Sequence, residues 1–225
     1  FFTLSILLAP IFCDVKVTTG GEAIADKRIV VKGDKTTAPT INVTLENCVI
    51  DRSTVSYSPF TIETTNTSDV KVNLVRTNAL TGPSNYAGLY KNDSSSSSLT
   101  IDGTGKLTVK GNSGISAVFN LVIDGGTIVA TGTNEAGIYT IKAIINGGNI
   151  TATGANYSAG IGTNSGYATI ESIEINGGVI TATGGAGDSS YGAGSGIGAG
   201  GGYAEKQRDV CQAGRQRSQR SAAPR

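Results

Sequence analysis

The stretch "INGGNITATG" (residues 145–154) returns as "INGGVITATG" (175–184), and a looser copy, "IDGGTIVATG" (123–132), precedes both. In each copy an apolar residue is followed by Asp-Gly or Asn-Gly and then by a run that alternates apolar and polar residues. Asp-Gly and Asn-Gly tolerate positive φ and therefore favour sharp turns. The alternation is typical of a strand that buries one face. The repeat therefore predicts a recurring unit of strand, sharp turn and strand.

Two columns of apolar residues continue this pattern along the chain. The residue before the turn recurs at Leu45, Leu74, Ile101, Ile123, Ile145 and Ile175. A second column follows it as "AGLY" (87–90), "SGIS" (113–116), "AGIY" (136–139), "AGIG" (159–162) and "SGIG" (195–198). Repeats of 20–50 residues indicate solenoids or propellers. A β-sandwich also has many short strands, but it does not require the same turn chemistry at every repeat.

We therefore predict an all-β fold, a right-handed parallel β-helix of about six coils, over residues 41–203. Residues 14–40 are expected to form a less regular N-terminal cap. Equivalent residues of successive coils should stack, so that Ile101, Ile123, Ile145 and Ile175 form an internal ladder. Asp102, Asp124, Asn146 and Asn176 should form a second ladder at the turn.

Composition narrows the chemistry that the chain can perform. The 225 residues contain 32 glycines, three cysteines and no His, Met or Trp, and the net charge is +1. Without His the commonest general base and metal ligand is missing. The near-zero charge gives no reason to expect a nucleic-acid partner, and Cys13, Cys48 and Cys211 do not form a disulfide framework.

The two ends differ from the repetitive body. Residues 1–13, "FFTLSILLAPIFC", form a short apolar run that resembles the end of a secretory signal. The run is too short for a membrane span. The alternative is a buried first strand of the fold. Residues 204–225 carry six Lys or Arg and two Asp or Glu, and we expect them to be a disordered basic tail. Since no further turn follows "SGIGAGGGYA", we also expect the chain to be a fragment, or a frame-shifted end, of a longer repeat protein.

The motif "INGGxITATGG…GAGIG" resembles repeats in large surface and secreted proteins of bacteria and some protists, over roughly residues 99–203. Those proteins are described as carbohydrate-binding or adhesin-like β-helices akin to the pectin-lyase fold. The resemblance implies export and surface display. It leads us to expect a structural or adhesive module that binds glycans and is not an enzyme. The alternative is a polysaccharide lyase or glycoside hydrolase of the same fold.

Tyrosines near the loop tips are the candidate sugar-binding residues. Aromatic rings beside amides and carboxylates can stack on sugar rings and hydrogen-bond their hydroxyls. The sequence places an amide or a carboxylate near each ring, which gives as candidates Tyr86 with Asn85, Tyr157 with Asn156, and Tyr191 with Asp188. Packing of these rings on the coil surface is the alternative.

Other motifs carry weaker expectations. Asp102 and Asp124 could form a glycosidase pair or bind Ca²⁺, but turn formation explains both, so we expect no catalytic residue, metal or cofactor. The "GSGIGAGGG" stretch lacks the helix that a phosphate-binding loop needs. Threonine columns such as Thr151 and Thr153 resemble those of some ice-binding solenoids but are interrupted by Val and Lys.

Five sequons and one open edge complete the expectations. The sequons, Asn42, Asn66, Asn92, Asn149 and Asn156, are candidate glycosylation sites of an exported protein. A solenoid that ends in mid-coil exposes unpaired strand edges, and we therefore expect self-association through the C-terminal edge.

Overall fold

The computed structural model describes residues 4–6, 13–33, 40–63, 66–91, 97–164 and 170–202. These residues form 22 strands and no helix. The strands are β1 (Leu4–Ile6), β2 (Cys13–Val17), β3 (Ala23–Ile24), β4 (Ile29–Val31), β5 (Thr40–Glu46), β6 (Val49–Asp51), β7 (Phe60–Ile62), β8 (Asp69–Val75), β9 (Thr77–Thr81), β10 (Leu89–Lys91), β11 (Leu99–Gly103), β12 (Lys106–Gly111), β13 (Ile115–Ala117), β14 (Leu121–Ile123), β15 (Thr127–Gly132), β16 (Ile138–Tyr139), β17 (Lys142–Ile145), β18 (Asn149–Thr153), β19 (Ile161–Gly162), β20 (Ser172–Ile175), β21 (Val179–Thr183) and β22 (Ile197–Gly198).

Every third strand belongs to the same parallel sheet. Sheet A contains β1, β4, β7, β10, β13, β16, β19 and β22; sheet B contains β2, β5, β8, β11, β14, β17 and β20; sheet C contains the seven strands from β3 to β21 that follow those of sheet B. The chain thus passes from B to C to A and begins the next coil. This topology confirms the predicted parallel β-helix.

Six of the strand triplets lie between residues 40 and 198, and one more, β2–β4, precedes them. This first triplet falls in the segment that we expected to be an irregular cap. β1 lies in the leader and pairs in parallel with β4, Leu4 beside Ile29, as a first strand of the fold would. Cleavage of the leader stays a prediction. The basic tail and Cys211 lie outside the described residues.

The sequence pattern implied two strands per coil, and the structure has three. The second apolar column forms sheet A, where Leu89, Ile115, Ile138, Ile161 and Ile197 stack in register. The strands of this sheet are only two or three residues long, too short to show alternation in the sequence. The second apolar column is therefore an additional strand with a corner on either side.

The predicted isoleucine ladder forms, with one correction at its start. Ile101, Ile123, Ile145 and Ile175 stack in sheet B, and the first three are buried. Leu45 and Leu74 do not belong to this column: they pair with each other, but Leu74 pairs with Gly103, and Ile101 pairs with Val72. A shift of two residues preserves the inward direction, so Leu74 is buried too.

The turn residues between sheets B and C explain the paired glycines. Gly126, Gly148 and Gly178 have φ of 83°, 92° and 93°, which favours glycine. A Cβ on Gly148 would lie 2.9 Å from the Gly126 carbonyl oxygen. The coils are thus stacked too closely at this turn for a side chain, and the backbone of these glycines lies in the left-handed region of φ.

Candidate functional site

The corners that lead from sheet C to sheet A differ greatly in length. From the second coil to the seventh, they span eight, seven, three, five, seven and thirteen residues. The corners of the fourth and fifth coils, 112–114 and 133–137, are the two shortest of these. Since coils stack at about 4.8 Å, two short corners between longer ones leave a depression. We call this side of the helix the corner face.

The depression is a groove of about 440 Å³, which we call the corner groove. Its lining extends from the corner face onto the outer side of sheet A. The residues that line it are the tyrosines Tyr86, Tyr90 and Tyr139, the carboxylate Glu135, the polar residues Ser58, Asn85, Asn112, Ser113 and Ser116, and Ala87 and Val118. Ligand sites in proteins commonly have volumes of roughly 300–1,000 Å³ and a similar mixture of aromatic and polar groups.

Strand register places two of these tyrosines on either side of a small residue. Tyr90, Ser116 and Tyr139 occupy equivalent positions in β10, β13 and β16. Both tyrosines are half-buried, and their Cα atoms are separated by two coils, roughly 10 Å along the axis. Ser116 is 8% exposed. Tyr90 and Tyr139 thus lie on either side of the small residue Ser116, and we call the space above Ser116 between them the slot.

Backbone and side-chain hydrogen bonds connect the corner residues around the groove. The amide of Asn112 donates to the Tyr86 carbonyl at 2.9 Å, and the Glu135 amide donates to the Asn112 carbonyl at 2.9 Å. The Glu135 Oε2 atom accepts a hydrogen bond from Ser113 Oγ at 2.7 Å. The Asn134 amide Nδ2 donates to the Ser84 carbonyl at 2.6 Å. The third, fourth and fifth coils are therefore linked across the short corner.

At one end of the groove lies a loop with aromatic contacts. The Tyr57 and Tyr86 rings lie 5.4 Å apart at an angle of 50°, and the Arg28 guanidinium lies 4.8 Å from the Tyr57 ring centre. Arg52 is 8% exposed and donates to the carbonyls of Tyr57, Ser56 and Lys27. Its burial lowers its pKa. The backbone of this loop is thus held by hydrogen bonds from the Arg52 guanidinium.

A second aromatic cluster lies on the corners of the sixth and seventh coils. The Tyr157 and Tyr191 rings are 5.3 Å apart, and the Tyr157 hydroxyl donates to Asp188 Oδ2 at 2.6 Å. Asp188 Oδ1 accepts from the amides of Ser190 and Tyr191. The Tyr157 bond raises that residue's pKa and, with the two amides, lowers the pKa of Asp188.

The structure therefore divides the six predicted sugar-binding residues into two groups. Tyr86 and Asn85 line the corner groove, whereas Tyr157, Tyr191 and Asp188 form the second cluster. Asn156 is exposed beside the second cluster. The two groups are about three coils, roughly 14 Å, apart along the axis. All six tyrosines among the described residues lie on the corner face or in sheet A.

Sequence reasoning missed Tyr90, Tyr139 and Glu135, although a signal was present. "AGLY" and "AGIY" end in tyrosine at the same position of the second apolar column. Stacking of that column places the two tyrosines on one face, two coils apart. Glu135 carries no comparable signal, because its place depends on how the 133–137 corner folds.

The sequons occupy very different environments. Asn149 and Asn156 are exposed, and Asn42 is half-buried with its amide donating to Asp14 Oδ1 at 2.7 Å. Asn66 is fully buried and its amide donates to the Ser68 carbonyl. A glycan on Asn66 is therefore incompatible with this packing. Asn92 lies outside the described residues.

The polar ladder at the turn between sheets B and C is a chain of hydrogen bonds. Asn176 Nδ2 donates to Asn146 Oδ1 at 2.9 Å, and Asn146 Nδ2 donates to Asp124 Oδ1 at 2.8 Å. Asp102 instead accepts from Lys71 Nζ at 2.8 Å, and this bond, with the Gly103 amide, lowers the pKa of Asp102. The arrangement fits a structural role for both aspartates.

Two further features concern metals and membranes. Within the described parts of the chain, no three His, Cys, Asp or Glu side chains are grouped in a way that could hold a metal ion. A helix long and apolar enough to cross a membrane is likewise not found among those residues.

The fold and the corner face together define a parallel β-helix repeat protein with an aromatic groove along one corner. Residues 16–209 match the family described as carbohydrate-binding domain-containing protein, and the chain belongs to that family. No curated protein and no solved structure shows a significant match to the chain.

Proposed function

We propose that this protein is a carbohydrate-binding module and that the corner groove is where it holds a glycan. The observation that carries the proposal is the grouping of Tyr86, Tyr90, Tyr139 and Glu135 in one groove of about 440 Å³. Membership of a carbohydrate-binding family supports it independently.

The chemistry of the groove suits a sugar. A pyranose ring has apolar C–H faces and a rim of hydroxyls, and tyrosine offers both an aromatic face and a hydroxyl. Tyr90 and Tyr139 supply two such faces around Ser116, and Asn85, Asn112 and Glu135 supply polar partners for hydroxyls. The groove is open along the corner face, so that a chain of sugars can enter it from the side.

Binding is favoured over bond cleavage. Glycosidases generally use two carboxyl groups that flank the scissile bond, and Glu135 is the one carboxylate that lines this groove. Several charged side chains on and next to sheet B pair with one another instead, as Lys71 does with Asp102, and Glu46 with both Lys16 and Arg76. A polysaccharide lyase or hydrolase of the same fold is the alternative, and it predicts release of reducing ends from a bound polysaccharide.

We also propose export, surface display and an adhesive role, as the resemblance of the repeats implies. Self-association belongs to the same proposal. Among the described residues, β20, β21 and β22 each have a neighbouring strand on one side alone. Ile175, Val179 and Ile197 are 47%, 66% and 40% exposed there. Exposed apolar edges of this kind favour pairing with a second chain.

A glycan array with matched variants tests the proposed function. The unmodified protein, a Tyr90→Ala/Tyr139→Ala double variant and a Tyr157→Ala/Tyr191→Ala double variant are applied to the same array. We expect binding to a defined set of glycans, and loss of it in the groove variant. Binding that survives in the groove variant and disappears in the second variant would move the site to the Tyr157 cluster. No binding to any glycan would contradict the proposal.

A further inference from the structure

We infer that the corner groove selects uncharged glycan chains and discriminates against chains that carry carboxylate or sulfate groups. This inference rests on the proposed function and specifies the class of ligand. Three features of the protein support it: the charges that line the groove, the positions of nearby cations, and the kind of hydrogen bond that the one carboxylate of the groove can form.

The groove has a single acidic side chain and no basic one among its lining residues. Of the eleven lining residues, Glu135 is the one acid, and neither Lys nor Arg is among them. A uronate or sulfate group in the groove would face this carboxylate in a partly desolvated space, where like charges repel more strongly than in water. Repulsion of this kind is a common way in which binding sites reject a close analogue.

Three cations of the neighbouring strands and corners are held away from the groove. The Arg28 guanidinium lies against the Tyr57 ring, and Arg52 is buried, donating to three carbonyls of its own coil and the coil before. Lys91 follows Tyr90 in β10, but it is fully buried on the inner side of the strand. Among the described residues, none of these cations lines the groove.

The remaining oxygen of Glu135 suits a hydroxyl donor. Oε2 accepts from Ser113 Oγ, and an ionised carboxylate can only accept hydrogen bonds. A neutral sugar presents hydroxyl groups that can donate to such an oxygen, and hydrogen bonds to a charged acceptor are stronger than those to a neutral one. The same group therefore favours a neutral chain and disfavours an anionic one.

Isothermal titration calorimetry with hexasaccharides tests the inference. The neutral ligands are cellohexaose, mannohexaose, xylohexaose and chitohexaose, and the acidic ligand is hexagalacturonate, each at 20 and 200 mM NaCl. We expect at least one neutral chain to bind with an affinity that changes less than twofold between the two salts. Hexagalacturonate should bind at least tenfold more weakly than that chain, and the difference should narrow at 200 mM NaCl.

Two variants assign the discrimination to the groove. Glu135→Gln removes the charge and keeps the size of the side chain. It should reduce the ratio of the affinities for neutral and acidic chains at least threefold. Glu174→Gln removes one negative charge from an exposed position in β20 and should leave the difference unchanged. An equal effect of both variants would contradict the role of Glu135.

The outcomes separate this inference from the proposed function. Binding of hexagalacturonate with an affinity equal to or higher than that of every neutral chain would overturn the inference and leave glycan binding intact. Absence of heat with all five ligands, for a protein that is folded by circular dichroism, would contradict both.

Discussion

The side chain of Asn134 reaches over the corner of the fourth coil and donates to the carbonyl of Ser84, 50 residues earlier, at 2.6 Å. It thereby joins the corner that carries Glu135 to the corner that carries Asn85 and Tyr86. The three-residue corner between them makes this bridge possible. The shape of the corner groove thus depends on a contact outside its lining.

Removal of the hydrogen bond between Asn134 and Ser84 should reduce the affinity for glycans more than it reduces the stability of the fold. Asn134→Ala removes one exposed hydrogen bond, which is worth about 0.5–1.5 kcal/mol, and it frees the two groove walls to move apart. We expect a threefold to tenfold loss of glycan affinity by calorimetry and a small decrease in unfolding free energy. Asn149→Ala, an exposed asparagine on the outer side of sheet C, is the control and should leave affinity unchanged. Equal affinities for both variants would show that the bridge does not shape the groove.

The interior contains an asparagine that should matter for stability. Asn78 is fully buried; its Oδ1 accepts from the Cys48 amide at 2.9 Å, and its Nδ2 donates to the Val75 and Lys106 carbonyls. Asn78→Ala leaves a buried amide without a partner, which costs about 1–3 kcal/mol, and it also leaves a cavity. Urea denaturation should show a clearly larger loss than in Asn146→Ala, which breaks the exposed ladder. Similar losses in the two variants would contradict this description of the core.

A pair of glycine variants separates backbone strain from steric contact. Gly20 and Gly148 both have positive φ, 72° and 92°, so alanine at either position should cost about 1–2 kcal/mol. A Cβ on Gly20 meets no atom within 4 Å, whereas a Cβ on Gly148 lies 2.9 Å from a carbonyl oxygen of the coil beside it. Gly148→Ala should therefore lower the thermal midpoint further than Gly20→Ala. The reverse order would contradict the close stacking of coils at this turn.

The Tyr157–Asp188 pair predicts two effects of pH. Because the hydrogen bond and the nearby carboxylate raise the pKa of Tyr157, Asp188→Asn should shift one phenol of the ultraviolet titration to lower pH. The folded-state pKa of Asp188 is lowered. The contribution of this carboxylate to the free energy of unfolding is therefore present above the ordinary aspartate pKa and is lost as pH falls through the lowered value. The Ser190 and Tyr191 amides donate to Asp188, so their protection factors, which are corrected for the intrinsic pH dependence of hydrogen exchange, should fall in acid. A titration curve that does not change in Asp188→Asn would argue against the pair.

The architecture could be predicted from the sequence because stacking repeats the same demands in every coil. Buried positions such as Ile123 and Ile145, and turn glycines such as Gly148, recur once in each coil. Where the repeat is irregular, equivalent residues of successive coils cannot be matched correctly from the sequence. Leu74 was assigned to the wrong column because β8 runs on past the position that pairs with Ile101. Val72 lies beside Ile101, and Leu74, two residues later, lies beside Gly103.

The candidate site was only partly predictable, because it arises where the repeat breaks. Tyr90 and Tyr139 follow from the second apolar column, but the groove itself is produced by unequal corner lengths. The contacts of Glu135 and Asn134 depend on the path of individual corners, which no periodic pattern encodes. The Tyr157–Tyr191 contact could have been predicted, since both residues lie in the corner between sheets C and A of successive coils.

The most direct test of the account is a crystal structure of the protein with the neutral hexasaccharide that binds most tightly in calorimetry. The account predicts a sugar ring in the slot between Tyr90 and Tyr139, above Ser116, with a sugar hydroxyl donating to Glu135. A glycan seated on the threonine-rich outer side of sheet C, or against Tyr157 and Tyr191 with the corner groove empty, would contradict it.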